Sequence, residues 1–253
     1  MDMKRILITA GGTSEKMDQV RSITNHSTGK LGYLIATKAL EQGIQVDYIT
    51  TLSASKPITQ ENLQIYLIED TQQLATQLTH LLETNSYDAV IHSMAVSDFT
   101  PVTSYSIEAF TAALNHQLAQ TNLPVTTEQL VQLIEKSEAT NTSKISSNTD
   151  YLFLTLKKNP KVIQLIKQIQ PQTMLVSFKL LVDVSKEELF NVAMTSMKKN
   201  NGDFVLANDL QSIQGDQHLG YLLDHKGNLV GEATTKEQIA SLILTALNTK
   251  GVE

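Results

Sequence analysis

Three features of the chain predict an α/β protein. Short apolar runs alternate with helical periodicities through the first hundred residues, as in βαβ units that build a parallel sheet. The first run, Arg5 to Ala10, ends directly in glycines. Tyr87 to His92 has the unbroken apolar character of a strand buried on both faces. Together they predict a doubly wound, mostly parallel, Rossmann-like sheet with a helical insertion and a C-terminal hairpin.

Each element follows in order. After Arg5–Ala10, a helix is expected from about Gly29 to Gln42, with Leu31, Leu34, Ile35 and Ala39 on one side and Gly43 as its stop. Gln45 to Thr51 and Leu63 to Ile68 read as strands. Thr71 to Thr84 places Leu74, Leu78, Leu81 and Leu82 at i, i+4, i+7 and i+8 of a helix. From about 101 to 141 the pattern turns helical, first with Ile107, Phe110, Leu114 and Leu118, then with Leu130, Leu133 and Ile134. Residues 141–148 are polar and loop-like, Tyr151 to Leu156 is expected to resume the sheet, and Asn159-Pro160 offers an N-cap and first-turn proline. Met174 to Leu180 and Asp203 to Ala207 are further strands, followed by a hairpin around Asp224 to Asn228 and a helix from about Thr235 to Asn248. No repeat or low-complexity linker interrupts the chain, so residues 1–253 are expected to form a single domain.

Composition excludes several classes. With 253 residues, 41% of them hydrophobic and 18% charged, the chain can bury a core. No apolar run nears the roughly 18 residues that span a bilayer, and MDMKRILITAGG lacks a signal-peptide core, so no membrane partner and a cytoplasmic location are expected. Zero cysteines leave no disulfide, thiolate metal site or cysteine nucleophile. The net charge of −6, with its basic residues scattered, argues against a nucleic-acid groove. The six histidines lack metal-ligand spacing and read as structural, and no metal ligands are assigned.

The most informative stretch is Gly11-Gly12-Thr13-Ser14-Glu15, with Arg21 to Asn25 and Ser27-Thr28-Gly29-Lys30-Leu31-Gly32 after it. Glycines after a strand let the backbone turn tightly and approach a ligand. Ser27, Thr28, Gly29 and Gly32 open a helix, where free N–H groups and the dipole favour phosphate. The spacing is neither the dinucleotide fingerprint nor a Walker A loop. A second cluster, Ser93 to Phe99, closes the fourth strand with small residues and Asp98. The residues alone allow a phosphate-binding enzyme, a nucleotide-sugar or NAD(P)-dependent oxidoreductase, or a non-catalytic phosphate sensor. The oxidoreductase should carry Tyr-x-x-x-Lys, but Tyr33 is followed by Thr37 and Tyr151 by Thr155.

GGTSEKMDQVRSITNHSTGKLG, MAVSDF, Lys144-Ile145, LKKNP, SFKL and Ala207-Asn208-Asp209 occur in an order that resembles phosphopantothenate–cysteine ligases. The resemblance covers nearly the whole chain outside the helical insertion and implies a free-standing, bacterial-type ligase of coenzyme A biosynthesis. It implies that 4′-phosphopantothenate attacks a nucleoside triphosphate, with Mg2+ on its phosphates, and that L-cysteine displaces the nucleoside monophosphate. By position, it gives Gly11, Ser27, Gly29 and Gly32 to the substrate phosphate, and Gly12, Met94, Ala95 and Asn208 to substrate or intermediate. Asn25 would grip the acyl-nucleotide, and Arg21 would serve the second half-reaction from the other subunit of a homodimer. Asp98, Lys144, Lys157, Lys158, Asn159 and Phe178 would line the nucleotide site, with Lys144 also catalytic. CTP is the expected nucleotide, with ATP the alternative: where CTP-using relatives carry paired lysines, Ser196 and Asn200 stand here, beside Lys198 and Lys199.

Overall fold

A computed structural model describes residues 3–121, 124–136 and 148–250. In chain order its elements are β1 (Arg5–Ala10), β2 (Ser14–Lys16), β3 (Ser22–Thr24), α1 (Lys30–Glu41), β4 (Gln45–Thr50), β5 (Leu63–Leu67), α2 (Thr71–Thr84), β6 (Ala89–His92) and β7 (Phe99–Ser106). Then follow α3 (Ile107–Thr121), α4 (Thr127–Lys136), β8 (Leu152–Lys158), α5 (Ile163–Ile169), β9 (Met174–Leu181), α6 (Lys186–Lys199), β10 (Phe204–Gln214), β11 (Gln217–Asp224), β12 (Leu229–Thr235) and α7 (Lys236–Lys250). The described residues fall into two compact units, one of 3–13, 25–96 and 161–250, the other of 14–24, 97–121, 124–136 and 148–160.

The first unit is an eight-stranded sheet in the order β12-β11-β10-β9-β6-β1-β4-β5. Its strands from β10 to β5 run parallel, and β11 and β12 add an antiparallel edge. The period-two alternation sends Ile6, Ile8 and Ala10 of β1 to one face, where they pack with Ile35 and Ala39 of α1 and Ile243 of α7. Leu7 goes to the other face, with Leu74 and Leu78 of α2 and Ile166 of α5. Val205 and Ala207 meet Leu189, Ala193 and Met197 of α6. This is the doubly wound, Rossmann-like architecture that the alternating pattern predicts. From β1 the chain winds outward through β4 and β5, then returns to β6 and continues the opposite way. The carboxyl ends of β1 and β6 therefore flank the switch point, where folds of this kind open a crevice.

The second unit holds the β2–β3 hairpin and a ribbon of β7 and β8, with α3 and α4 between its strands in sequence. A two-stranded ribbon is marginal alone. Phe110 of α3 stacks on Phe153 of β8, with ring centroids 4.7 Å apart, and lies 5.8 Å from Tyr105 of β7.

Two expectations are corrected, and one helix is added. Tyr151 to Leu156 does not resume the main sheet: β8 pairs antiparallel with β7, whose start at Phe99 and whose Pro101 hid a strand within the supposed helical stretch. Asn159-Pro160 does not cap a helix, because α5 begins at Ile163. The Asn159 side-chain amide instead donates to the Ser97 carbonyl at 3.0 Å. Helix α6 was not anticipated, although Ser185 and Glu188 spell a capping signal; the Ser185 hydroxyl accepts from the Glu188 N–H at 3.2 Å.

Candidate functional site

At the switch point the β1–β6 ladder runs past the strands. Ala95 N–H donates to the Gly11 carbonyl at 2.9 Å, and Thr13 N–H donates to the Ala95 carbonyl at 3.0 Å. The chain then returns at Asn25, whose N–H donates to the Thr13 carbonyl at 3.2 Å and whose side-chain amide donates to the Ala95 carbonyl at 3.3 Å. Asn25 passes so close over Gly12 that a Cβ there would lie 2.2 Å from the Asn25 carbonyl oxygen. Gly11 turns at φ +96°.

Helix α1 starts against this crossing. Its cap is Gly29, at φ +70°, and no side chain accepts a hydrogen bond as its cap. The Thr28 hydroxyl makes only a long 3.4 Å contact to the Lys30 N–H, and the first turn carries no acidic residue. The contrast with α2 is direct, since Asp70 caps that helix by accepting from the Gln73 N–H at 2.8 Å. At α1 the N–H groups and the positive dipole end are left for an anion. Gly32 lets this end come down onto the sheet, for its Cβ would lie 2.4 Å from the Ala10 Cβ and 2.9 Å from the Ser93 hydroxyl. Gly29 lies as close to Gly11, a Cβ on Gly29 being 3.3 Å from the Gly11 nitrogen. The two glycine clusters thus meet at one strand end, with half-buried Ser27 leading into the helix.

Among the remaining expected residues of this unit, Met94 is buried with Leu7, Ile49 and Leu74, so its side chain is core and only its backbone is left for a ligand. Asn208 is buried in the middle of β10, which runs on to Gln214 beyond the strand end expected at Ala207, and it stands opposite Leu180 and Gly220 just before a break in register. Phe178 packs partly buried against the α1–α7 side of the core. Beneath the crevice, Thr9 and His92 share a buried hydrogen bond of 2.8 Å. Burial pulls the His92 ring down to about 4, so it is neutral near pH 7.

The second unit gathers its own set. Asn159 N–H donates to the Asp98 carbonyl at 2.8 Å, and Lys157 and Lys158 stand opposite Thr100 and Phe99 at the end of the ribbon. Asp98, Lys157 and Lys158 are exposed. Arg21 forms a two-point pair with Asp18, at 2.7 and 3.1 Å. Lys144 lies outside the described residues.

What sequence reasoning missed is the loop after β4. The Ala54 methyl sits 2.8 Å from where a Gly11 Cβ would be and 3.0 Å from where a Gly29 Cβ would be. Ser55 N–H donates to the Thr28 carbonyl at 2.9 Å. Nothing in TLSASKPI marks it as part of a site until β4 is placed beside β1. Among the described residues no helix is long and apolar enough to cross a membrane.

Comparison with known proteins agrees with this geometry. The family model of the DNA/pantothenate metabolism flavoprotein C-terminal domain matches residues 1–129 and 134–250. A coenzyme A biosynthesis bifunctional protein CoaBC of Thermococcus kodakarensis is 28% identical over 218 residues, 86% of this chain and 44% of that protein. The chain spans about half the length of the curated relatives it matches. A solved DNA/pantothenate metabolism flavoprotein of Streptococcus pneumoniae is 40% identical with a TM-score of 0.84, covering 98% of this chain and 100% of that one. The fold is shared by a Cab2 variant in complex with phosphopantothenate-cysteine, 19% identical with a TM-score of 0.65, over 99% of this chain and 89% of that one. The chain belongs to the family of the DNA/pantothenate metabolism flavoprotein C-terminal domain, to which the ligase motifs pointed.

Proposed function

We propose that this protein joins 4′-phosphopantothenate to L-cysteine through an acyl-nucleotide. The observation that carries the reading is the uncapped start of α1, set against the Gly11–Gly12 turn and built to hold a phosphate. The coenzyme A biosynthesis for which the CoaBC relatives are named, and the phosphopantothenate-cysteine in complex with the Cab2 neighbour, support this substrate class.

In the first step the substrate carboxylate attacks the α-phosphorus of CTP, or of ATP in the alternative branch. A phosphoanhydride P–O bond breaks and pyrophosphate leaves. In the second, the cysteine amine attacks the acyl carbon, the C–O bond to the nucleotide breaks, and the amine gives up a proton as the monophosphate departs. The residues around Gly11, Gly12, Ser27, Gly29 and Gly32 hold the substrate phosphate and so orient its carboxylate. The Asn25 amide donates to oxygen charge developing at the reacting carbonyl. Asp98, Lys157, Lys158, Asn159, Phe178 and Lys144 are assigned to the nucleotide, and Arg21 to the second step from a partner copy in a homodimer. For that, Arg21 must exchange its Asp18 partner for substrate. Mg2+ belongs on the triphosphate, whose charge it neutralises. Among the described residues no three His, Cys, Asp or Glu side chains converge to cage an ion. The reaction is assigned to the cytoplasm.

The test is pyrophosphate release with 4′-phosphopantothenate, cysteine and Mg2+, run in parallel with CTP and ATP. Release that requires 4′-phosphopantothenate, faster with CTP, is expected. Binding of 4′-phosphopantothenate without release under either nucleotide would leave a phosphate-ligand binding protein instead.

A further inference from the structure

The loop after β4 is held by one lysine. Lys56 Nζ donates to the carbonyls of Thr51 at 3.2 Å, Leu52 at 2.5 Å and Ala54 at 2.8 Å. An ammonium has three N–H donors, and all three are spent on this loop. No carboxylate pairs with it among the described residues, so its charge is compensated only by carbonyl dipoles. The same loop is tied outward at two further points. Ser55 N–H donates to Thr28, in the turn before α1, and the buried Tyr48 hydroxyl donates to the Ser55 carbonyl at 3.1 Å. Between these ties lies Ala54, whose methyl fills the space that side chains at positions 11 and 29 would occupy.

We propose that Lys56 is a positioning residue for the phosphate cradle and sets its preference for a phosphorylated substrate. The inference rests on the functional reading above. The lysine acts in two ways. It closes the loop that forms the wall beside Gly11 and Gly29, and it turns three carbonyl oxygens, which would repel an anion, onto a cation. Lys56 does not touch the phosphate in this arrangement, since its donors are engaged.

The test is calorimetric titration of the full chain with 4′-phosphopantothenate and, separately, with pantothenate, which lacks the phosphate. Lys56→Met is expected to weaken 4′-phosphopantothenate about tenfold while pantothenate changes less than about twofold. Lys56→Arg, which keeps the charge, should recover most of the loss. Lys56→Gln is measured alongside, with melting temperatures, so that a poorly folded methionine variant does not decide the result. Equal weakening of both ligands would reduce Lys56 to a general structural strut and overturn the inference, as would unchanged affinity for 4′-phosphopantothenate. In either case the cradle itself would stand. If the unchanged, folded chain binds no 4′-phosphopantothenate, the functional reading fails and the inference fails with it.

Discussion

The two ends of the parallel sheet treat their polar groups differently. At the amino ends, polar side chains are matched to one another. Asp47 accepts from Arg5 at 2.6 and 2.9 Å, from the Tyr87 hydroxyl at 2.8 Å and more distantly from Tyr66. Burial and the Asp47 carboxylate hold the Tyr87 phenol neutral, well above the usual range. Nearby, Asp203 lies 2.7 Å from both Lys167 and Lys250, and their hydrogen bonds hold its carboxyl below the usual range although burial works against them. A cleft of about 800 Å3 opens there, lined by Tyr87, Asp88, Gln170, Asp203 and Lys250 among others, and apart from the Thr173 hydroxyl the buried side-chain polar atoms of its lining have partners. At the carboxyl ends the opposite holds, because the start of α1 is left uncapped and glycines keep side chains away from it. Room alone does not make a site. The groups a protein leaves unmatched indicate where a ligand completes it.

The largest break in this contrast is Gly12→Ala, which drives a Cβ into the Asn25 carbonyl 2.2 Å away. Shifting Asn25 from the strand end should cut turnover at least about a hundredfold, as measured by pyrophosphate release. Asp47→Ala breaks the other end. It strands a partly buried guanidinium and two phenols, so a loss of about 3–5 kcal/mol is expected in urea unfolding. Substrate affinity of the protein that remains folded should not change. Asn25→Asp removes the amide donor with little change in shape; turnover should fall by about 10²–10³, far more than the small drop in melting temperature from losing the 3.3 Å bond to the Ala95 carbonyl.

The Thr9–His92 pair gives a pH signature. The folded ring titrates near 4 and the unfolded one near 6.5, so the unfolded chain binds the proton first as pH falls. Stability is therefore full above about pH 6.5 and declines between 6.5 and 4. The decline attributable to this ring is about 3 kcal/mol. His92→Gln should flatten that part of the curve in unfolding measured across the range. The smallest effect tests helix capping. Ser185→Ala should cost about 1 kcal/mol of stability and leave substrate binding alone, because α6 is closed by its own side chain.

Much of this was legible in the chain. The apolar alternation gave β1, β4, β5, β6, β9, α1 and α2 within a residue or two, because each is buried along a face with a regular period. The glycine spacing gave the meeting of the two clusters. What was not legible depended on partners distant in sequence. The strand β7 carries Pro101 and is half polar, and only its pairing with β8, some fifty residues on, makes it a strand. Ala54 and Lys56 have no motif of their own and gain their place through the register of β4 on β1. Helix α6 carries its signal locally, in Ser185 and Glu188 at its start.

The most direct measurement of the contrast is a map of backbone amide shifts on the intact chain as 4′-phosphopantothenate is added. The account predicts shifts concentrated at Gly11, Gly12, Asn25, Ser27 to Gly32 and Ala95, at the carboxyl ends of β1 and β6. Shifts gathered instead at Tyr87, Asp88 and Gln170 around the amino-end cleft, or no shifts at all, would contradict it.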